Sequence, residues 1–190
     1  GIRDSSVTGV QTCALPIFVA AGLTTIEITL TNPGALTIIE NLAKRPGVQV
    51  GVGTVVNSKD VLRARDAGAQ FIVSPNTDEE VIGETKRAGL ISLPGVATPS
   101  EVAAAKKYGA DILKLFPAST YGPAHLKALR DPFPGNFWCP TGGLSADSVG
   151  EWFAAGANIV GVGGPLIKGG MDAIESNVKA FLEAVAKARG

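Results

Sequence analysis

The chain has 190 residues, a mass of 19.4 kDa and 45% hydrophobic residues, which together exclude a disordered protein and predict one domain with a substantial core. Its 17 Lys and Arg balance 17 Asp and Glu, and this zero net charge argues against nucleic acid or an anionic membrane as a partner, because both favour a basic surface. Two cysteines give neither a disulfide framework nor a metal-binding spacing, and we see neither a signal peptide nor an apolar run of about 20 residues, so the sequence predicts a cytoplasmic protein.

Short apolar or β-branched runs recur along the chain at intervals of about 20 to 26 residues, the spacing of strand–helix units. Seven of these runs are visible, and they begin near Thr25, Val48, Gln70, Leu90, Asp111, Asn136 and Asn158. Amphipathic stretches lie between them and begin at helix-capping residues such as Asn57, Thr98 and Ser145. Strands that alternate with helices predict a parallel sheet, and this rhythm is typical of a (β/α)8 or TIM barrel.

An eight-stranded barrel needs one more strand than the pattern shows. That strand would lie about one repeat, or roughly 22 residues, ahead of Thr25. The chain there reads GIRDSSVTGVQTCALPI, which has no strand pattern and resembles a translated sequencing adapter. We therefore predict that residues 1–17 are a non-native segment and that residues 18–190 form a TIM barrel that lacks its native first strand. The alternative is an unusual but genuine N-terminal arm.

Two ionisable side chains lie on strands whose alternation predicts where they point. In TIEITL the isoleucines and the leucine share one face, so Glu27 lies on the other face. In DILKLF the two leucines share one face, so Lys114 and Phe116 lie on the other. Because the face that packs against the helices must be apolar, we expect Glu27 and Lys114 to point into the barrel.

An inward-facing lysine among apolar side chains has two interpretations. Burial disfavours the charged ammonium, and the neutral amine attacks carbonyl carbons to form a Schiff base. Alternatively, Lys114 is a structural residue that pairs with a carboxylate such as Glu27. The strand pattern alone leaves both interpretations open.

Two glycine clusters follow the last two predicted strands, PTGG at 140–143 and GVGGP at 161–165. Glycine lets the backbone approach an anion closely, and barrels commonly bind phosphate in the loops after their last two strands. The clusters therefore predict a phosphate site. Neither cluster matches the P-loop or dinucleotide fingerprint, so the sequence predicts no nucleotide cofactor.

Six motifs occur in an order that is typical of one enzyme family: IEITL, GVGTV, VSPN, LPGVATPSE, KLFPAS and CPTGGLS. From about Phe18 onwards the chain resembles the class I aldolases of the KDPG/KHG family, which cleave 2-dehydro-3-deoxy-6-phosphogluconate or its galactonate epimer. The resemblance implies a homotrimeric barrel that uses no metal or other cofactor. It also implies cleavage of the phosphorylated keto acid to pyruvate and D-glyceraldehyde 3-phosphate.

The same resemblance implies a role for individual residues. Lys114 in KLFPAS corresponds to the Schiff-base lysine, and Glu27 in IEITL corresponds to the general acid/base. The other residues shape the pyruvate pocket, lie beside the lysine or form the phosphate-binding turns. They are Thr54, Pro75, Phe116, Thr141, Gly142, Gly143, Gly163 and Gly164.

The chain departs from the family pattern where the substrate is chosen. The gluconate-type enzymes carry arginine four residues after the glutamate, where this chain has Thr31, and the galactonate-type enzymes have asparagine there and an arginine on the first strand. The last phosphate turn has Gly164-Pro165 where the family tends to have serine. The choice between the epimers therefore stays open. Two other functions also stay open: a phosphate-binding isomerase or synthase without a Schiff base, and an inactive barrel that lacks a strand.

Overall fold

A computed structural model describes residues 14–190, in which strands and helices alternate along the chain. The strands are β1 (Thr25–Thr29), β2 (Gln49–Gly53), β3 (Phe71–Val73), β4 (Ile91–Leu93), β5 (Gly95–Val96), β6 (Ile112–Leu115) and β7 (Phe137–Trp138). The helices are α1 (described over residues 14–20), α2 (Ala35–Ala43), α3 (Ser58–Asp66), α4 (Glu79–Arg87), α5 (Pro99–Tyr108), α6 (Ala118–Arg130), α7 (Val149–Ala154), α8 (Gly164–Ile167) and α9 (Ile174–Arg189). None of these helices is long and apolar enough to cross a membrane.

Helix α1 crosses the boundary that the sequence predicts between a non-native segment and the barrel. Residues 1–13 lie outside the described part of the chain. Of the remaining four residues of that segment, Ala14 and Leu15 are buried against the barrel core.

The cap residues named from the sequence begin their helices as predicted. The Asn57 side chain accepts a hydrogen bond of 2.9 Å from the backbone of Lys59 at the start of α3. Thr98 and Glu101 form a reciprocal capping box at the start of α5. Ser145 caps the short 3-10 turn that precedes α7. These bonds satisfy backbone N–H groups that have no partner within the helix, and so they fix where each helix leaves the end of its strand.

The strands pair in parallel, as the alternation of strands and helices predicts. The order is β1-β2-β3-β4 in one sheet and β5-β6-β7 in the other. The two sheets continue into one another, because the backbone of Asp111 donates to Ser92 O at 3.1 Å and that of Lys114 donates to Pro94 O at 2.9 Å. Pro94, which has no N–H, separates β4 from β5, and these two strands occupy one position in the wall of the barrel.

The seventh predicted strand, near Asn158, does not form. Only Gly161 pairs there, through an isolated parallel bridge to Thr141. Within residues 14–190, no strand pairs with the edge of β1 that faces away from β2, and none lies on the outer side of Gly161. A strand in the wall of a closed barrel has a partner on each side, and within residues 14–190 both β1 and the segment at Gly161 have a partner on one side alone. The described barrel is therefore open at one seam, between β1 and Gly161, and the predicted position of the first strand lies outside the described residues.

The seam should limit the stability of the chain. We expect a version that carries one additional apolar strand ahead of α1 to melt about 10 °C or more above the present chain, since each kcal/mol shifts the melting temperature of a domain of this size by about 2–4 °C. The added strand would pair two free edges and would cover Ile159 and Leu182, which are 36% and 37% exposed. Differential scanning calorimetry on both versions measures this shift. Equal cooperative transitions would show that the seam is already covered.

Candidate active site

A cavity of about 440 Å³ lies inside the barrel. Glu27 of β1, Lys114 of β6 and Thr141, which follows β7, contribute polar groups to its wall. Most of the remaining wall is apolar and comes from the strands and from the inner face of α9. As predicted, the lumen-facing residues of β1 and β6 line this cavity, while the alternate isoleucines of β1 and leucines of β6 are buried against the helices.

Lys114 is 7% exposed, and its Nζ lies 4.7 Å from the centre of the Phe116 ring. Its strand is held in register with β5, where Gly95 is its partner. In the described part of the chain no carboxylate oxygen lies within 4.0 Å of Nζ. Lys114 and Glu27 therefore share one cavity without forming a direct ion pair, which argues against the structural interpretation of the lysine.

Glu27 reaches its position by leaning along the sheet. Its register partner on β2 is Gly51, but its carboxyl group lies over Gly53, where an added Cβ would collide with Oε1 and come within 2.6 Å of Cδ. Glu27 is an exposed residue on the open edge of the sheet, and it lines the cavity. Burial raises the pKa of the Glu27 carboxyl above its ordinary value, and the positive charge of Lys114 opposes this rise.

Gly53 was not identified as a site residue from the sequence. The available signal is the pair of glycines inside the VGVG strand, because glycine in a strand often marks the close approach of another group. The ring of Phe71 occupies the corresponding space beside Gly51.

Thr141 and Cys139 follow β7, and both of them line the cavity. The Thr141 hydroxyl donates to the Cys139 carbonyl at 3.2 Å, and Gly161 leaves the space that the Thr141 side chain fills. Burial raises the pKa of the Cys139 thiol to about 11, so this thiol is protonated near neutral pH and is a poor nucleophile. Across residues 14–190 no three His, Cys, Asp or Glu side chains come together in a way that could hold a metal ion.

Thr54 and Pro75 lie just beyond the carboxyl ends of β2 and β3 and do not line the cavity. Thr54 has a φ of 59°, and among the described residues it is the one non-glycine with positive φ. Such a conformation costs free energy and is often found at functional sites. The Pro75 carbonyl packs against Gly95, the register partner of Lys114. Thr54 directly follows Gly53, over which the Glu27 carboxyl lies, and Pro75 lies against Gly95, so each of them is next to a glycine that neighbours one of the two ionisable residues.

The loop after β1 carries uncharged hydrogen-bonding groups. The hydroxyl oxygens of Thr29 and Thr31 lie 3.0 Å apart, and the Asn32 amide donates to Thr29 Oγ1 at 3.0 Å. This is the position at which the gluconate-type enzymes carry arginine. The side chains of this loop therefore offer hydroxyl and amide groups in place of that arginine.

The two glycine clusters form turns at the same end of the barrel. Gly142 and Gly143 both have positive φ, at 97° and 77°. Gly164 begins α8, and both Gly163 and Gly164 have open space where a side chain would be. The parallel bridge between Thr141 and Gly161 brings the two segments side by side just before they turn. The predicted site residues thus divide into a cavity group with Glu27, Lys114 and Thr141, and a group at the carboxyl ends of the strands.

Several known proteins that are similar to this chain are aldolases. The sequence model of the family described as "KDPG and KHG aldolase" matches residues 10–183. The 2-dehydro-3-deoxy-phosphogluconate aldolase of Pseudomonas aeruginosa is 41% identical over 147 residues, which are 76% of this chain and 66% of that protein, slightly less than two thirds of its length.

Two solved structures share the fold. One, described as a native KDPGal structure, has a TM-score of 0.88 and 30% identity, and the match covers 94% of this chain and 90% of that one. The other is a KDPG aldolase from Legionella pneumophila with pyruvate captured as a covalent carbinolamine intermediate, with a TM-score of 0.80, 27% identity and coverage of 98% and 90%. These matches confirm the TIM-barrel fold class that the sequence predicts, and the match of the family model extends over most of the chain. The chain therefore belongs to the KDPG and KHG aldolase family.

Proposed function

We propose that this chain is a Schiff-base aldolase that cleaves a 2-dehydro-3-deoxy-6-phospho sugar acid into pyruvate and D-glyceraldehyde 3-phosphate. The observation that carries the proposal is a buried lysine, Lys114, which shares a cavity with the carboxyl group of Glu27 and makes no ion pair with it. The carbinolamine in the Legionella relative, in which pyruvate is covalently bound, supports the same chemistry.

Lys114 supplies the nucleophile. Its neutral amine attacks the keto carbon, and loss of water from the carbinolamine gives an iminium. The bond between the α and β carbons of the keto acid then breaks. The iminium accepts the electron pair from this bond, and the product aldehyde leaves. Protonation of the resulting enamine carbon and addition of water then release pyruvate and restore the lysine. The face of the Phe116 ring, 4.7 Å from Nζ, favours the positive charge of the iminium.

Glu27 moves the protons that these steps require. Its raised pKa brings the carboxyl closer to neutral pH, where it can both hold and release a proton. Because it makes no direct contact with Lys114, a water molecule between them would carry protons to and from the carbinolamine oxygen. The carboxylate form takes the proton from the substrate hydroxyl as the carbon–carbon bond breaks.

The remaining residues hold the substrate. Thr54 and Pro75 close the pyruvate pocket at the carboxyl ends of β2 and β3, and the Thr141 hydroxyl lies near the reacting carbon. The turns at Gly142–Gly143 and Gly163–Gly164 receive the phosphate through their backbone N–H groups. From the family resemblance we further propose that residues 18–190 form the aldolase domain and that it acts as a cytoplasmic homotrimer.

Borohydride reduction in the presence of pyruvate tests the proposal. We expect a three-carbon adduct on Lys114 and on no other lysine, because the other described lysines lie outside the cavity. Mass spectrometry of proteolytic peptides locates the adduct. An adduct found mainly on Lys106, Lys107 or Lys127 would contradict the assignment, and no adduct at all would favour a phosphate-binding isomerase or synthase.

A substitution in the first glycine turn should separate phosphate binding from pyruvate binding. We expect Gly143→Asp to raise KM for the phosphorylated keto acid by about ten-fold or more, because it places a negative charge where the phosphate binds, and to change pyruvate trapping much less.

Gly89→Asp is the matched control for this prediction. Gly89 has a φ of 75°, close to the 77° of Gly143, but it follows α4 at the opposite end of the barrel. Gly89→Asp imposes the same charge at a similar φ without reaching the turn, and it differs from Gly143→Asp in having open space where Gly143 meets the Ser119 side chain. Equal effects of Gly143→Asp on pyruvate and on the phosphorylated substrate would show that the turn does not bind phosphate.

A further inference from the structure

We infer that Ser119 is a substrate-binding residue whose hydroxyl donates a hydrogen bond to the phosphate group at the Gly142–Gly143 turn. The inference rests on the proposed function for the position of the phosphate and extends it to a residue that is not part of the glycine turns.

The first turn of α6 is held directly against the glycine turn. The Ala118 N–H donates to Thr141 O at 2.8 Å, and the Ser119 N–H donates to Gly142 O at 3.0 Å. The Ser119 side chain lies against Gly143, the residue after Gly142, since a Cβ built on Gly143 would be 2.7 Å from Ser119 Oγ. Gly143 therefore lacks a side chain at the point where Ser119 approaches it.

The Ser119 hydroxyl is available for a ligand. Its side chain is exposed, and Oγ makes no hydrogen bond to any group within residues 14–190. The nearby hydroxyls that follow the turn, those of Ser145 and Ser148, are bonded to each other's backbone in a capping box. Because the backbone N–H groups of Ala118 and Ser119 are already used, the Ser119 hydroxyl, which lies against Gly143, is a donor that this end of α6 retains beside the glycine turn.

The local surroundings suit an anion. The first turn of α6 carries no acidic residue. A kink at Gly122, with φ 78° and ψ 168°, separates Ala118–Tyr121 from the rest of the helix, so this turn is oriented by its two bonds to Thr141 and Gly142. A hydroxyl fixed in this way can donate to a phosphate oxygen, and a hydrogen bond to a charged acceptor is stronger than one between neutral groups.

Equilibrium binding of 3-phosphoglycerate and of glycerate, measured by calorimetry without pyruvate, tests the inference. We expect Ser119→Ala to weaken binding of 3-phosphoglycerate about ten-fold and to leave glycerate unchanged, because the lost bond reaches only the phosphate. Thr120→Ala is the matched control: this neighbouring hydroxyl is also exposed, and its loss should change neither constant.

Two results would overturn the inference. One is a Ser119→Ala variant that binds 3-phosphoglycerate as the unmodified chain does, or that weakens both ligands equally. The other is an unmodified chain that binds 3-phosphoglycerate no more tightly than glycerate, because the turn would then not be a phosphate site. Since no pyruvate is present, a chain that binds the phosphate through Ser119 but fails borohydride trapping would contradict the proposed aldolase and leave this inference intact.

Discussion

Replacing Lys114 with arginine should abolish both the borohydride-trapped pyruvate adduct and aldolase activity. Arginine keeps a positive charge and a long side chain, but its guanidinium cannot lose a proton near neutral pH and so cannot attack a ketone. The mass of the intact protein after treatment with pyruvate and borohydride measures the loss directly.

Lys127→Arg provides the control for this result. Lys127 lies on the exposed side of α6 and does not line the cavity, so the variant should keep the full adduct. A Lys114→Arg variant that is still modified by pyruvate would show that another amine forms the Schiff base.

Replacing Glu27 with glutamine should lower turnover by about 10²–10⁴, the range that is usual for loss of a general acid/base. The amide has nearly the same shape but cannot exchange a proton, and trapping of pyruvate should weaken less than turnover because attack by Lys114 remains possible. Steady-state cleavage and borohydride trapping, measured on one preparation, separate these two effects. Glu40→Gln, an exposed change on α2, should alter neither of them.

The raised pKa of Glu27 also predicts how stability depends on pH. A carboxyl group whose pKa is higher in the folded state binds its proton more tightly there, so its contribution to stability is complete below its ordinary value of 4.5 and is lost as the pH rises through the raised pKa. The free energy of unfolding of Glu27→Gln should therefore fall less over this rise in pH than that of the unmodified chain. Denaturant titrations at several pH values would show parallel curves for the two proteins if the pKa of Glu27 were not raised in the folded state.

Alternation along single strands was enough to predict which way the side chains of Glu27 and Lys114 point. The apolar partners of Glu27 and Lys114 on their own strands determine which face meets the helices, so the inward direction follows from local sequence. The roles of Thr54, Pro75 and the glycine turns came from resemblance to a family, because no local pattern assigns a substrate to them.

Features that depend on neighbouring strands could not be predicted in this way. The run near Asn158 has a strand pattern, but it forms only one bridge, from Gly161 to Thr141. The positive φ of Thr54 and the position of the Glu27 carboxyl over Gly53 depend on how adjacent strands fit together. Whether Lys114 pairs with Glu27 is likewise a matter of distance between strands, which sequence periodicity does not give.

The glycine beneath Glu27 has a consequence for how this catalyst could be inactivated. The carboxyl group occupies the volume that a side chain at residue 53 would need, so even one methyl group there would displace it toward the middle of the lumen. Lys114 lines the same cavity, and a displaced carboxylate that paired with it would occupy the amine that attacks the keto carbon. A single added carbon atom, far too small to fill the cavity, would thus disturb the separation between Glu27 and Lys114 on which the roles proposed for both residues depend.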